Sequence, residues 1–310
     1  MTDATPASDA DLATQAEQIH ALLRMAPGSS PAHRALHAKG VVAGGRFTAS
    51  GALAGLTIAT HLCRGTSDAL ASFSHPGGDP AVSDAIPSGR GLAVKLSTPA
   101  GSHQLVTVSS PAFLVRDGGA FIELILARAP DPETGAPDPA RIGAFLEAHP
   151  EALPAIQYAL TTPAPHSYGD LTYNSLNSFV LVAPDGTRRP FRYSFTPAGP
   201  AHSATPADGT ELAPDHLADE LAARLAADSI AFDLVVFLAT DDDPIDDATA
   251  IWPERKGIVA GTLVLDRLVP DAEPVIFDPT NVVAGVELSA DPILQLRRLV
   301  YGLSYAQRTS

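Results

Sequence analysis

The C-terminal stretch of the chain places a charged and a phenolic side chain at helical spacing. Asp291 precedes Pro292, which predicts a helix start, because a carboxylate caps free N–H groups and proline needs none at the first helical position. Arg297 and Tyr301 then lie one turn apart on the same face. A fixed positive charge beside a phenol favours the ionised phenolate. The same spacing also fits an amphipathic helix whose tyrosines only pack.

A second stretch whose side chains could take part in chemistry follows the turn at residues 27–31. It contains Arg34, a fixed cation, and His37, which can exchange a proton near neutral pH. In a regular strand their spacing of three would place them on opposite faces, so spacing alone does not make them a pair. Glycines follow up to Gly45, and they predict a strand with a bulge or a close approach of the backbone to a ligand.

The composition indicates a protein with an acidic surface. The 310 residues carry 20 Lys and Arg against 35 Asp and Glu, a net charge of −15, which argues against nucleic acid or an anionic membrane surface as the main partner. A single cysteine, Cys63, excludes an intramolecular disulfide and a thiolate metal cluster. The N-terminus lacks the pattern of a signal peptide, and no run of about 18 apolar residues occurs. We therefore expect a cytoplasmic protein that does not bind membranes.

Other segments that resemble motifs do not meet the requirements of known sites. The acidic run at residues 241–247 lacks the glycine and glutamate of an EF-hand loop, and we interpret it as a solvated loop. Gly89 and Gly91 lack the third glycine and the following helix of a dinucleotide fingerprint. No nucleophile elbow, P-loop or HExxH helix occurs, and the ten histidines show no metal-ligand spacing.

Apolar periodicity predicts the main elements of the fold. Helices are predicted near residues 12–23 and 214–228, and residues 176–195 read as a hairpin around a Pro-Asp-Gly turn. Because strands pair locally rather than alternating with crossover helices, we predict an antiparallel barrel or sandwich. No repeat or long linker divides the chain. We predict one α+β domain over residues 1–310, with about the first ten residues disordered.

Three segments carry weaker signals. Residues 65–90 have the composition of a long loop, rich in Gly, Pro, Ser and Asp. Residues 112–116 are predicted as a strand, joined to the one before it by a Ser-Pro step. Residues 121–126 form a short apolar run that fits either a helix or a strand.

Four segments of the chain form a recognisable series. They are residues 34–40, 90–95, 110–117 and 277–287, the last leading into the helix with Arg297 and Tyr301. In this order they resemble the haem catalases, and in particular the short catalase-related peroxidases. Trp252 with Pro253 also resembles the short branch. The resemblance implies a catalase-like antiparallel β-barrel with peripheral helices, without the C-terminal helical region of the large catalases.

The resemblance implies a role for each matching residue. Tyr301, kept ionised by Arg297, would be the ligand of the ferric iron of haem b. His37 would face the peroxide and move its proton as a general acid–base. Arg34 and Arg308 would bind the haem propionates, because guanidinium groups hold carboxylates through paired hydrogen bonds.

Two positions depart from the family pattern. Ser109 stands where catalases have an asparagine that helps to orient peroxide, so efficient catalase chemistry is not expected, and Ser109 is a candidate to bind peroxide weakly or to be only a strand residue. Ser72 stands where the family has an arginine, so one expected contact to a propionate is missing. Phe121 is a further candidate, as the ring that stacks on the haem.

The function implied is a haem peroxidase that reduces hydrogen peroxide or an organic hydroperoxide with an organic electron donor, with weak or no catalase activity. A homodimer is compatible with this reading. Three alternatives stay open. They are an isomerase of fatty hydroperoxides similar to allene oxide synthase, a haem carrier or sensor without turnover, and a haem-free ligand-binding barrel in which Arg297 and Tyr301 only pack.

Overall fold

Eight antiparallel strands close into a barrel in the computed structural model, which describes residues 9–199, 212–270 and 275–309. The pairing of β7 with β8 closes the ring, and the short strands β6 and β10 extend the sheet beside β7. In chain order the strands of these ranges are β1 (Gly40–Ala49), β2 (Thr66–Ser74), β3 (Gly91–Thr98), β4 (Gly101–Val108), β5 (Tyr173–Asn174), β6 (Phe179–Val182), β7 (Arg188–Pro197), β8 (Ile230–Leu238), β9 (Ile258–Leu268) and β10 (Val286–Leu288).

Helices surround the barrel. In the described part of the chain they are α1 (Asp9–Arg24), α2 (Thr60–Cys63), α3 (Gly118–Arg128), α4 (Pro139–Ala148), α5 (Leu153–Thr161), α6 (His216–Ala227) and α7 (Pro292–Thr309). Two single 3₁₀ turns, Pro150–Ala152 and Tyr168–Asp170, complete the helical elements. The prediction of an antiparallel barrel with peripheral helices is confirmed.

Inward-facing side chains of the strands fill the barrel. Along β8 buried and partly exposed residues alternate, as expected for a strand with one face on a core. Aromatic rings pack at the centre, where Phe73 stacks on Tyr168 with ring centroids 5.0 Å apart and Phe232 lies 6.1 Å from Phe73. Burial of several such rings supplies much of the hydrophobic stabilisation of the barrel.

Two glycines of β1 lie at a β-bulge. The register of β1 against β9 shifts between Gly44 and Gly45. A Cβ on Gly45 would lie 1.9 Å from the carbonyl oxygen of Val264, so only glycine fits there. The bulge predicted from the glycine-rich sequence is confirmed.

Three helices pack together beside the barrel and carry one side of the candidate site. Ile19 of α1 and Leu296 and Val300 of α7 are buried in one apolar cluster, which Phe121 of α3 joins. Both α1 and α7 follow the periodicity predicted for them. The cluster packs α7 against α1 and α3.

The structure corrects two sequence predictions and decides a third. Residues 65–90 are not a loop throughout, because β2 (Thr66–Ser74) pairs with β1 on one side and β3 on the other. Residues 112–116 form no strand, and instead turn irregularly into the N-cap of α3. The apolar run at residues 121–126 belongs to α3, where Asp117 Oδ1 accepts a hydrogen bond from the Ala120 amide at 2.9 Å.

The ends of the chain bear on two further predictions. Residues 1–8 of the stretch predicted to be disordered lie outside the described ranges. Residues 9 and 10 of that stretch belong to the start of α1. None of the described helices is long and apolar enough to cross a membrane.

Candidate active site

A cavity opens between α7 and the barrel strands β2, β3 and β4. Its empty volume, open solvent included, is about 680 Å³. Apolar side chains such as Leu36, Val106 and Phe277 form much of its wall. The residues predicted from the sequence that line this cavity are Arg34, His37, Tyr301 and Arg308.

Arg297 holds the phenol group of Tyr301 on α7. Its Nη2 and Nε donate hydrogen bonds to Tyr301 Oη at 2.9 and 3.3 Å, across the four-residue spacing seen in the sequence. On its other side Nη1 donates to Asn177 Oδ1 at 2.8 Å, so the guanidinium is fixed from two directions. The phenol oxygen of Tyr301 is thus held in place by a guanidinium that is itself fixed.

The same network reaches the first turn of α7. Asp291 Oδ1 accepts a hydrogen bond from the Ile293 amide at 2.9 Å and so caps the helix as predicted. Its Oδ2 accepts from Asn177 Nδ2 at 2.7 Å. Burial raises the pKa of Asp291 despite these hydrogen bonds. One series of hydrogen bonds thus joins a buried carboxyl group, an amide, a guanidinium and a phenol.

His37 lies in the cavity wall with an unusual backbone. Its φ of 57° is in the left-handed region, and it is the one non-glycine residue with positive φ in the described ranges. The His37 amide donates to the carbonyl oxygen of Pro76 at 3.4 Å, and ring atom Nδ1 lies 2.9 Å from Ser74 Oγ. Burial, and then the charges of Arg297 and Arg34, lower the pKa of His37 to about 3. The ring is therefore neutral near pH 7.

Two arginines lie at the cavity from opposite ends of the chain. Arg34 donates to Ser72 Oγ at 3.4 Å and to the Val275 carbonyl at 3.3 Å. Arg308 donates from Nε to the Ser304 carbonyl at 3.3 Å. The Ser304 hydroxyl in turn accepts from the amide of Ala35, at 3.0 Å, and ties α7 to the segment before β1.

The structure does not bring Ser109 and Phe121 to this cavity. The Ser109 hydroxyl is buried and accepts a hydrogen bond from the Arg90 amide at 2.9 Å. Phe121 packs between α1, α3 and α7, with its ring centroid 5.8 Å from that of Phe113. Neither residue is part of the cavity wall. Their assignments as a peroxide-binding and a haem-stacking residue stay predictions.

Sequence reasoning missed Ser74 and Asn177, and it named Ser72 only as a departure from the family pattern. Ser72 and Ser74 of β2 line the cavity and bond to Arg34 and His37, and the two-residue step between them is the strand signal that was available. Asn177 connects Asp291 with Arg297. No local pattern marks Asn177, because its partners lie more than a hundred positions away in the chain.

Comparison with known proteins places this geometry in a family. The profile of the Catalase family matches residues 27–310, a stretch that contains every cavity residue described above. The chain belongs to the catalase family. A catalase-related peroxidase of Mycolicibacterium paratuberculosis is 36% identical, and the match covers 93% of this chain and 92% of the relative. Another catalase-related peroxidase, from Synechococcus elongatus, is 29% identical over 94% of this chain and 88% of the relative.

Solved structures agree on the fold of the catalase family. A fungal catalase superposes with a TM-score of 0.76 at 22% sequence identity, and the match covers 99% of this chain. The chain spans 65% of that catalase, so less than two thirds of its length is matched. The two short relatives, by contrast, are matched over nearly their whole length.

The cavity fits the haem that membership of the catalase family implies. Tyr301 offers a phenol oxygen held by two N–H donors, which suits a ferric iron ligand. Arg34 and Arg308 line the same cavity and provide cations for the two carboxylates of a porphyrin. In the part of the chain that the structure describes, no cluster of three or more His, Cys, Asp and Glu residues is arranged for a metal ion.

Proposed function

We propose that this member of the catalase family is a haem b peroxidase, which reduces hydrogen peroxide or an organic hydroperoxide with an organic electron donor and has little catalase activity. The observation that carries the proposal is the Arg297–Tyr301 pair in a cavity that His37 also lines. The catalase-related peroxidases among its relatives support the reaction class.

Tyr301 would hold the ferric iron through its phenolate oxygen. The two hydrogen bonds from Arg297 stabilise the negative charge on that oxygen, and Asn177 keeps the guanidinium in place. When bound, the haem supplies the redox chemistry by which peroxide is reduced. Arg34 and Arg308 would bind its propionates, and the apolar wall with Leu36, Val106 and Phe277 would exclude water from its ring.

His37 would move the proton of the peroxide. When the ring carries its proton on Nδ1 it donates to Ser74 Oγ, and Nε2 then has a free lone pair. Because the ring is neutral near pH 7, Nε2 can accept the proton from one peroxide oxygen and return it to the departing one. General acid–base work of this kind contributes roughly 10²–10⁴ in rate.

The reducing partner and the assembly belong to the proposal as well. An organic donor is inferred because Ser109 replaces the asparagine expected from the family resemblance, and the Ser109 hydroxyl is engaged with the Arg90 amide. Without a second group to orient peroxide, dismutation of peroxide would be slow and an external donor would supply the electrons. A cytoplasmic location and a homodimer are further parts of this proposal.

The test compares absorption spectra of the haem-supplied protein and its Tyr301→Phe variant. We expect a ferric tyrosinate-type spectrum in the wild type that is lost or changed in the variant. Tyr305→Phe is the matched control, because Tyr305 lies on the same helix with its ring near Arg308, 5.7 Å from the guanidinium carbon. Equal spectra for wild type and Tyr301→Phe would show that Tyr301 is not the ligand.

Turnover is tested in the same sample. Hydrogen peroxide consumption should depend on an added phenolic donor and should be slow without it. Release of oxygen at a comparable rate without any donor would contradict the peroxidase assignment and indicate a catalase. Conversion of an organic hydroperoxide without a donor would instead indicate an isomerase.

A further inference from the structure

Arg24, in the last turn of α1, is a partly buried cation that no acidic residue compensates. Its Nη1 donates to the Ser30 carbonyl at 2.8 Å and its Nη2 to the His33 carbonyl at 2.9 Å, so the side chain is fixed across the turn between α1 and β1. No carboxylate within the described residues forms an ion pair with it. A shielded charge without a counter-charge is costly, and such groups are usually paired.

The charged group that acts on Arg24 is another cation, Arg308, and not an anion. Burial, and then the charge of Arg308, lower the pKa of Arg24. Burial, and then the charge of Arg24, lower the pKa of His20, one turn earlier on α1. The local field thus opposes positive charge and favours an anion, although the whole chain has a net charge of −15.

The same region holds several hydrogen-bonding atoms without partners. Each of them is shielded from solvent and unbonded in the described structure, where such atoms are uncommon. A ligand that accepts a hydrogen bond from Arg24 Nε would give this shielded donor a partner. These atoms are His20 Nε2, Arg24 Nε, Ser29 Oγ and His33 Nδ1.

The chain neighbours of Arg24 and of its hydrogen-bond partner His33 line the cavity. Leu23, the preceding residue, lines the cavity together with Arg308. His33, whose carbonyl binds Arg24, directly precedes Arg34, another cavity residue. The position on β2 where the family resemblance leads one to expect an arginine is Ser72, whose hydroxyl accepts from Arg34.

We propose that Arg24 binds a carboxylate at the mouth of the cavity, as a third arginine that comes from α1 instead of β2. Two sources of this carboxylate are compatible with the site. One is a propionate of the porphyrin, in which case the inference rests on the proposed function. The other is the carboxylate of an organic donor that enters beside the porphyrin.

The first arm of the test uses the full chain and metal-free protoporphyrin IX, which has two carboxylates but no iron for Tyr301 to bind. Its dimethyl ester, which lacks the charges, is the companion ligand. We expect Arg24→Gln to weaken binding of the diacid at least about tenfold and to leave binding of the diester unchanged, because a charge-assisted hydrogen bond is lost. Arg24→Lys should restore part of the affinity.

The second arm detects a donor carboxylate. With haem-loaded enzyme, the KM for 3-(4-hydroxyphenyl)propionate is compared with that for its uncharged amide. If this donor is the ligand, Arg24→Gln raises the KM for the acid about tenfold, leaves kcat unchanged, and does not affect the amide. The matched control in both arms is Arg46→Gln, which removes the same charge from an exposed position on β1.

Each outcome decides the inference. A selective effect of Arg24→Gln in the first arm identifies a propionate, and a selective effect in the second identifies a donor. Arg24→Gln that behaves like Arg46→Gln in both arms overturns the inference while the proposed function stands. A chain that binds the diacid through Arg24 but gives no tyrosinate spectrum with ferric haem keeps the inference and rejects the proposed function. A wild-type chain that binds neither porphyrin overturns both.

Discussion

At the scale of single residues, the position of the His37 ring depends on a glycine of the neighbouring strand. A Cβ on Gly91 would lie 3.0 Å from both Nδ1 and Cε1 of His37, and 2.7 Å from Ser74 Oγ. Two of these three atoms, His37 Nδ1 and Ser74 Oγ, form the His37–Ser74 hydrogen bond. The missing side chain of Gly91 therefore makes room for the proposed proton-transfer group.

We expect Gly91→Ala to displace the His37 ring. The new methyl group would break or lengthen the contact with Ser74, and the rate of reaction with peroxide should fall by about 10²-fold, within the range of a lost acid–base group. The tyrosinate-type spectrum should stay unchanged, since Tyr301 is not touched. Stopped-flow mixing with hydrogen peroxide measures the rate.

Gly89→Ala is the control for this substitution. A Cβ on Gly89 would make only ordinary contacts, the nearest at 3.4 Å to Ser109 Oγ. Two variants with equally reduced rates would contradict a specific role for Gly91. Full activity in Gly91→Ala would show that the His37 ring can accommodate the added methyl group and still function.

At the scale of secondary structure, the start of α7 is coupled to the residue that holds Tyr301. Asn177, in the segment before β6, accepts from Arg297 and donates to the helix-capping Asp291. Its amide thus joins two charged groups of one helix that lie six positions apart. Because the helix and the barrel meet at this amide, the orientation of Arg297 depends on the docking of α7.

Replacing Asn177 by Ala should both destabilise the protein and change the tyrosinate spectrum. It leaves the buried Asp291 carboxyl without its amide donor and frees one side of Arg297. We expect the free energy of unfolding to fall by about 2–3 kcal/mol, the effect of losing hydrogen bonds to charged groups. Urea titration of the haem-loaded protein, followed by circular dichroism and by absorption, measures both effects.

Gln295→Ala provides the comparison for Asn177→Ala. Gln295 lies on the same helix and donates to the Ser289 carbonyl at 3.2 Å, away from Arg297. It should lower stability slightly and leave the spectrum as in the wild type. An unchanged spectrum in Asn177→Ala would mean that Arg297 keeps its place without the amide.

At the scale of the whole molecule, several histidines are buried in the neutral form. His61 and His103 face each other with 2.8 Å between Nε2 and Nδ1, and burial lowers their pKa values to about 4 and about 3. Burial is also the largest cause that lowers the pKa of His75 to about 4 and of His37 to about 3. The folded protein therefore resists protonation at these sites.

This predicts a loss of stability in mild acid. An unfolded histidine takes up a proton near pH 6.5, whereas these folded ones do not until about pH 3–4, so the unfolded state binds more protons as the pH falls. Their contribution is fully present above pH 6.5 and is lost progressively toward pH 3–4. Each such group removes about 2 kcal/mol between pH 6.5 and pH 5.

Urea unfolding at pH 8, 6 and 5 tests this prediction. The double variant with His61→Gln and His103→Gln should show about half the pH dependence of the wild type, since two of the four groups are removed. Relief of repulsion among the excess carboxylates works in the opposite direction as the pH approaches the isoelectric point, about 4.9. Equal unfolding midpoints at pH 8 and pH 5 would contradict the prediction.

Features that depend on short-range geometry could be predicted from the sequence. The four-residue spacing of Arg297 and Tyr301 sets their contact on any helix, and Asp291 with Pro292 marks where that helix begins. The glycines of β1 predict a bulge for an equally local reason. Local strand pairing indicated an antiparallel barrel or sandwich, and the order of four family-like segments favoured the barrel.

Contacts between groups that are distant in the chain could not be predicted in this way, because they depend on how the elements pack. The strand with Ser72 and Ser74 reads as a loop because it is rich in small and polar residues, yet it is a strand since β1 and β3 satisfy its backbone on both sides. Closure of the barrel and packing of α1 and α7 brought Arg24 near Arg308 and left Phe121 and Ser109 outside the cavity wall. Such meetings depend on the pairing of strands and helices far apart in the chain, and residue spacing does not encode them.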